Sequence, residues 1–355
     1  MSDLVTPILG LTKPTVGADL DVWGGITNAN WDIVDKSPGL HNVGRNYIHN
    51  PLFNIQQRGV GPWVLATGAP AFTADRWVAG FVGGTMTVSL IALADADRTA
   101  IGDEAATNAI RAVFTGGGAA AAQTYLYHGI ESVRRLSGKT VTLSFYAKAA
   151  SGTPKLGFSL DQNFGIGGSP SPTAVGTGQS VTLSTAWARY ALTFTIPSAT
   201  GKVLGTSGTD CIYLNVFFSA GASSAAMSGT VGVQSGTVTL WGLQLELGSP
   251  ATPLEKPDPQ QDLAKCQRFY QDSSSTSSVG FSTSGYTAAA GAIYGNISFP
   301  VRMRAVPTIT PLNMVLNNVA GPTYQGCIDG LFVAGSGTAA GQFSWSGGFT
   351  ASADI

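Results

Sequence analysis

Apolar and polar positions alternate with a period of two along much of this chain, most clearly between Thr230 and Gly248. Val238, Leu240, Leu243, Leu245 and Leu247 carry apolar side chains, while Thr239, Gln244 and Glu246 point the other way. That is the pattern of a half-buried β-strand, whose successive side chains leave on opposite faces. Gly242, just after Trp241, breaks the phase and predicts a bulge. The pattern stops at Gly248 and Pro250, as a strand closing a central β domain would.

Upstream, Lys139 to Lys148 alternates just as clearly, with Val141, Leu143 and Phe145 opposed to Thr140, Thr142, Ser144 and Tyr146. Further strand material lies at 77–91 (interrupted by Gly83 and Gly84), 106–115, 124–130, 155–161 and 187–196. Residues 210–218 are apolar on both faces, which predicts a central strand or one beneath a subunit contact. Residues 130–136 fit one or two helical turns, and 165–178 is a Gly- and Pro-rich loop. About eight strands without a long helix pack most naturally as two layered sheets. Residues 1–46 are punctuated too often by Gly and Pro for a core. They read as an arm with a short helix or turn at 26–34, whose Trp23, Trp31 and Ile33 need a partner surface. A Pro-rich connector occupies 251–264. Shorter strand runs at 287–299, 308–316, 330–334 and 341–350 then suggest a second, thinner sandwich. The predicted class is all-β: an N-terminal arm (1–46), a central sandwich (47–256), a linker (257–264) and a smaller C-terminal β-sandwich domain (265–355).

Composition narrows the function. The 355 residues carry 19 basic and 20 acidic side chains, only 11% charged against 44% hydrophobic, with 46 glycines. Nucleic-acid binding calls for a basic face, which such a balance does not supply. No apolar run reaches the roughly 18 residues of a spanning helix, so membrane insertion is not expected. The start lacks a basic region followed by an apolar core, and release by lysis or assembly is expected rather than secretion. Cys211, Cys266 and Cys327 are scattered without metal-ligand spacing, and Cys211 reads as a buried free thiol.

Several motifs, in order, resemble those of tail-fibre and receptor-binding proteins of tailed bacteriophages. They are Asn50-Pro-Leu-Phe-Asn54, Gln57-Arg-Gly59, Thr73-Ala-Asp-Arg-Trp77, Leu136 to Lys148, Trp187-Ala-Arg-Tyr190, Trp241 to Gly248, and Ala251-Thr-Pro-Leu-Glu255. Cys266 to Gln271, Phe299 to Ile309 and the final Phe349 to Ile355 resemble the C-terminal region of the same group. Leu11 to Gly17, Trp23-Gly24 and Asn28 to Asp35 resemble its virion-proximal start. The resemblance implies a carbohydrate-binding-module-like jelly roll in the central domain and a location in the virion tail or fibre. It further implies a homotrimer attached to other virion proteins through the arm, by Trp23, Trp31 and Ile33. Its tip would bind host surface polysaccharide or lipopolysaccharide. A purely structural collar, head-decoration or baseplate role is the alternative, and a polysaccharide depolymerase a third.

No nucleophile elbow, phosphate loop, dinucleotide fingerprint or metal cluster is present, so the chain does not read as an enzyme. Glycosidase chemistry needs paired carboxylates about 5–9 Å apart, and the spacing of Asp75, Asp95, Asp97, Glu104, Glu131, Asp161 and Asp210 forces no pair together. Asp75 beside Arg76 reads as an edge ion pair ordering a loop, with Trp77 anchored in the core. No cofactor is expected, although Asp21, Asp95 and Asp97 are available for a structural calcium ion. Sugar binding combines an aromatic platform with planar polar groups. The central domain offers Tyr127, Gln162 and Asn163, with Tyr125 and Phe164 nearby. The terminal domain offers Tyr286, Tyr324, Gln325, Asp329 and Trp345, with Phe343. For each aromatic alone, a core or subunit-interface position is the commoner use.

Overall fold

The computed structural model describes residues 4–5, 12–13, 22–41, 44–273 and 281–355. Near the start, β1 (Leu4–Val5) and β2 (Thr12–Lys13) form a two-stranded pair, followed by helix α1 (Trp23–His41). This helix is longer than the segment expected at 26–34. Gly24, Gly25, Pro38 and Gly39, read as punctuation, lie in its first and last turns. Glycine weakens a helix interior more than its ends, while Pro38, lacking an N–H, forgoes one backbone hydrogen bond in the last turn.

The chain next forms β3 (Trp63–Val64), β4 (Ala71–Phe72), β5 (Trp77–Val82), β6 (Gly84–Ala92) and a short helix, α2 (Asp95–Ile101). Eight more strands complete the central unit: β7 (Asn108–Gly116), β8 (Gln123–Glu131), β9 (Thr140–Ala149), β10 (Lys155–Asn163), β11 (Gln179–Thr182), β12 (Ala188–Thr195), β13 (Cys211–Ala220) and β14 (Gly236–Leu247). They make two antiparallel six-stranded sheets. The first has the order β11-β10-β13-β8-β5-β4 and the second β12-β9-β14-β7-β6-β3. This is a jelly-roll β-sandwich, and the two-sided strand at 210–218 lies inside the first sheet as β13. Trp77, Phe145, Phe158, Leu214 and Leu245 are among the residues filling the space between the sheets.

Strand β14 holds the second sheet together, and its bulge has a visible purpose. Gly242 adopts φ +62°, and the register with β9 shifts between Trp241 and Gln244. Were the same residues a regular strand with no bulge, Val238 and Leu240 would face the core while Leu243 and Leu245 faced away, because side-chain parity is fixed along a regular strand. The bulge resets the phase so that all four reach the core. Trp241, opposite Leu240 by parity, enters a separate apolar cluster with Leu52, Leu93, Ile101 and Trp187, roofed in part by α2. A Cβ at position 242 would sit 2.8 Å from Leu254 Cδ2, which would have to give way, and the left-handed backbone itself favours glycine there.

The polar face of β14 is buried as well. Glu246 accepts hydrogen bonds from the Thr252 backbone at 2.9 Å and from Gln244 Nε2 at 2.8 Å. Gln244 Oε1 accepts from Glu255 N at 2.6 Å, and the Glu255 carboxylate accepts from the backbone N–H groups of Gly44 and Asn46 at 2.5 and 2.8 Å. Asn46 completes the network by accepting from Leu245 N at 3.1 Å and donating to Leu243 O at 3.0 Å. The segment read as a connector from 251 is therefore, up to 255, a strap across the second sheet.

Helix α3 (Pro259–Gln267) opens the remaining unit. Asp258 caps it by accepting from Gln260 N and Gln261 N at 2.9 and 3.1 Å, and Pro259 sits in the first turn. After it come β15 (Tyr270–Asp272), β16 (Phe281–Thr287), β17 (Ala292–Ser298), β18 (Thr308–Asn317), β19 (Ala320–Cys327), β20 (Gly330–Ser336) and β21 (Gly341–Ser352). Long β21 pairs with β15, β16 and β18, while β17-β20-β19 forms a second sheet. Their small core gathers Phe281, Met303, Val333, Trp345 and Phe349.

Buried charge joins this unit to the jelly roll. Asp75 and Arg76 were expected to pair with each other at an edge, but both are buried and they part company. Arg76 adopts φ +72°, and its guanidinium donates to Gly129 O at 2.5 Å, faces Asp354 at 3.6 Å and lies 3.4 Å over the Phe269 ring. Asp75 accepts instead from Gln57 Nε2 at 2.7 Å. Asp354 also pairs with Arg58 at 2.5 Å, Arg268 with Glu131 at 2.9 Å, and Asp262 accepts from Asn50 N at 3.0 Å. Behind them the His49 backbone N–H donates to His128 Nε2 at 3.1 Å. Burial, and then the Arg76 charge, hold both imidazoles well below their usual value. Burial pushes the Asp75 carboxyl up to about 6.

Asp354→Ala strands the buried Arg76 and Arg58 charges and should lower unfolding free energy by about 3 kcal/mol or more in urea titration. The neutral His128 is a depressed-pKa group, so its stabilisation is present above an ordinary 6.5 and is lost as pH falls. Asp75, with a raised pKa, acts in the opposite sense: its contribution falls as pH climbs from about 4 to about 6. His128→Gln keeps an acceptor without the titration. It should therefore lose less stability than wild type between pH 7 and pH 5, and an equal loss would refute the assignment.

Candidate functional site

The outer face of the first sheet carries a groove, and strand parity dictates what lines it. On β8 the even positions Leu126 and Ile130 enter the core, so Tyr125, Tyr127 and Gly129 face out. On β13 Ile212, Leu214 and Val216 enter the core, leaving Tyr213, Asn215 and Phe217 outside. On β10 Leu156, Phe158 and Leu160 point inward, leaving Ser159 and Asp161 outside. Register then aligns these residues in rows. Gly80, Tyr125, Phe217 and Gly157 form one row across the sheet; Val78, Tyr127, Asn215 and Ser159 form the next; Gly129, Tyr213 and Asp161 form the third.

The result is an open groove of about 370 Å³ with an aromatic floor and a polar side. Tyr125 and Tyr127 stack at 6.3 Å between centroids, and Tyr127 meets Tyr213 edge-on at 5.1 Å. Asn215 Nδ2 donates to Asp161 Oδ2 at 2.8 Å and to Ser159 Oγ at 3.1 Å, and Asp161 Oδ1 accepts from Gly176 N at 2.9 Å. Pro70 and Met227 also line the groove. Gly80 is a condition of this arrangement: a Cβ there would lie 2.6 Å from Tyr125 Oη and 2.7 Å from Cζ, so the ring rests flat on bare backbone. Burial raises all three phenols, Tyr127 to about 12. They remain neutral hydroxyls that both donate and accept at ordinary pH. Burial also raises the Asp161 carboxyl, against the lowering effect of its hydrogen bonds from Gly176, Ser159 and Asn215.

Of the residues singled out from sequence, Tyr127 lies on this floor beside Tyr125. Gln162 does not join it. Its parity on β10 is that of the core, and its amide is buried and donates to Pro197 O at 3.1 Å. Asn163 shares the outward parity, but its side chain is engaged with Gly165 N at 2.8 Å at the strand end, outside the groove lining. In the terminal unit Trp345 is 0% exposed and forms the centre of the core, in edge contact with Phe281 and Tyr324. Tyr324 packs on that core, whereas its neighbour Gln325 and the turn residue Asp329 are exposed. Tyr286, 76% exposed, stands on β16 in the other sheet. These five residues are thus divided between a core, two sheets and a turn. On α1, Trp23 and Trp31 are 60% and 65% exposed, and the Ile33 side chain lies outside the described residues.

For calcium, Asp95 pairs with Arg98, while Asp97 accepts from Lys148 Nζ at 2.6 Å and Trp187 Nε1 at 2.8 Å. Asp21 lies outside the described residues. Among the described residues no group of three or more His, Cys, Asp or Glu side chains is placed to hold a metal. All three cysteines are free, Cys211 and Cys266 buried and Cys327 half-buried. Sequence reasoning missed Tyr213 and Asn215 as site residues. Their alternation with Ile212 and Leu214 was visible, but the pairing of β13 with β8 that sets them beside Tyr127 was not.

Residues 100–207, which include Tyr125, Tyr127 and Asp161, match the family model of a carbohydrate binding domain, CBM_4_9. A search of curated proteins finds no match. Among solved structures, the chain is similar to a putative sugar binding protein from Bacteroides thetaiotaomicron, at 15% identity and TM-score 0.35 over 57% of this chain and 100% of that one. It is also similar to a family 11 carbohydrate-binding module from Clostridium thermocellum in complex with a β-1,3-1,4-mixed-linked tetrasaccharide, at 12% identity and TM-score 0.32 over 55% and 99%. The enzymatically active domain of tailspike protein 4 from bacteriophage CBA120 is similar at 14% identity and TM-score 0.30, over 57% of this chain and 22% of that one.

The contact between Gly80 and Tyr125 yields a direct test. Gly80→Ala should destabilise the protein by about 1 kcal/mol, because the ring must lift from the sheet. The same substitution in a Tyr125→Ala background should cost little, giving a coupling energy in a double-mutant cycle measured by chemical denaturation.

Proposed function

We propose that this protein is a non-catalytic glycan-binding component of a tailed-bacteriophage virion, which grips a host surface polysaccharide or lipopolysaccharide in the groove of its first sheet. The observation that carries the glycan reading is the floor of Tyr125, Tyr127 and Tyr213 beside the fixed Asn215–Asp161 pair. A pyranose has apolar faces and a polar rim, so its C–H face lies on phenol rings while its hydroxyls meet an amide and a carboxylate. Asn215 is already oriented by Ser159 and Asp161, which reduces the ordering required on binding. The match of residues 100–207 to a carbohydrate binding domain supports the same assignment. Among the groove's lining residues Asp161 is the single carboxylate, whereas hydrolysis of a glycosidic bond needs two.

The virion assignment draws on the ordered fibre-like motifs from Asn50 to Ile355. In this reading residues 1–46 attach to other virion proteins, with Trp23 and Trp31 on α1 exposed for that contact. Residues 47–256 carry the groove, 257–264 link, and 265–355 form the distal part of a homotrimer. A structural collar, head-decoration or baseplate element is the competing reading. It too draws on the exposed Trp23 and Trp31, which would cement neighbours without any sugar.

Affinity electrophoresis through gels containing host lipopolysaccharide or neutral polysaccharides separates the two. Wild type should be retarded by at least one of them. Tyr127→Ala, with its fold verified by circular dichroism, should weaken that interaction by about 30-fold, roughly 2 kcal/mol for a central aromatic contact. Mobility unaffected by every glycan would favour the structural role.

A further inference from the structure

A second cleft, larger than the groove at about 520 Å³, opens where the sandwich edge meets the C-terminal unit. Trp63 of β3 and Phe72 of β4 line it, and these are the edge strands of the two sheets. Gln56, Gln57 and Arg58 of the turn leading into β3 form another wall. Tyr270 and Asp272 of β15 supply the last, so both units contribute.

The cation lining this cleft, Arg58, is already paired inside the protein. The Arg58 guanidinium pairs with Asp354 at 2.5 Å and is covered by rings on the Tyr270 side at 3.6 Å and the Phe72 side at 4.6 Å. A cation so enclosed is not presented to an anionic ligand, and Asp272 on the same wall would repel one. Gln57 Nε2 is held by Asp75 Oδ1 at 2.7 Å and Tyr270 O at 3.0 Å, which fixes the plane of its amide. What the cleft offers is a half-exposed indole, two planar amides and a carboxylate, in a volume typical of small-molecule sites. Those groups suit a ligand with an apolar face and a rim of hydroxyls, and no net charge.

We propose that this cleft is a second saccharide site, for a short neutral oligosaccharide, independent of the Tyr125–Tyr127–Tyr213 groove. The sugar face lies against Trp63, and its hydroxyls reach the Gln56 amide, the Gln57 side-chain carbonyl oxygen and the Asp272 carboxylate. Because the lining comes from both units, the ligand also clamps β15 to the sandwich edge.

Isothermal titration with cellotetraose, laminaritetraose, maltotetraose and β-1,4-galactotetraose tests this. In a Tyr125→Ala/Tyr127→Ala protein, which lacks the groove floor, at least one of the four should still bind with one site per chain. Adding Trp63→Ala should weaken that binding at least 10-fold. So should Gln56→Ala with Asp272→Ala, which leaves β3 untouched should the tryptophan variant fail to fold. Hydrogen exchange at residues 268–272 should slow when the sugar is present. Binding that survives both sets of cleft substitutions overturns the proposal, as does a groove-deficient protein that takes none of the four. If wild type binds one equivalent and loses it entirely on removing Tyr125 and Tyr127, the groove reading stands and the second site falls.

Discussion

The architecture depends on one strand being buried on both of its faces. β14 sends Val238, Leu240, Leu243 and Leu245 into the core, and the Gly242 bulge is what permits this across a phase change. Its other face is covered by Trp241's apolar cluster and by the hydrogen-bonded chain Asn46–Glu255–Gln244–Glu246–Thr252. A buried polar network of this kind is stable only when every member is satisfied. Residues from both ends of the jelly-roll sequence, 44–48 and 250–255, are therefore required to complete its central strand. The closure frees the opposite sheet to expose one face, and that face bears the groove.

Much of this could be read from sequence where parity alone decides the answer. Val141, Leu143 and Phe145 are all in the core as their alternation requires, and the glycine after Trp241 is the bulge it suggested. Reading failed where a residue's neighbour lies far away along the chain. Gln244 and Glu246 look solvent-facing from their own strand, yet a strap from 251–255 covers them. Asp75 and Arg76 look like partners because they are adjacent, but a left-handed backbone at Arg76 sends its guanidinium to Asp354.

The site followed the same rule. Tyr125 and Tyr127 share a face because they are two apart on one strand, whereas Gln162 has the parity of Leu160 and so belongs to the interior. Trp345 reads from sequence as part of a sugar platform, but it is the one tryptophan of the C-terminal unit and sits at the centre of a thin core with Phe281 and Phe349. Tyr213 and Asn215 required knowledge of strand order, which no local pattern contains.

The contact between Arg76 and Asp354 also ties the sandwich to a carboxylate that most of the chain separates from it in sequence. A jelly roll severed from its C-terminal unit would keep Gly129 O as an acceptor for the guanidinium but lose both Asp354 and the Phe269 ring. It would carry an uncompensated positive charge at the edge of its core, so a truncated sandwich is expected to be less stable than the same domain in the full chain.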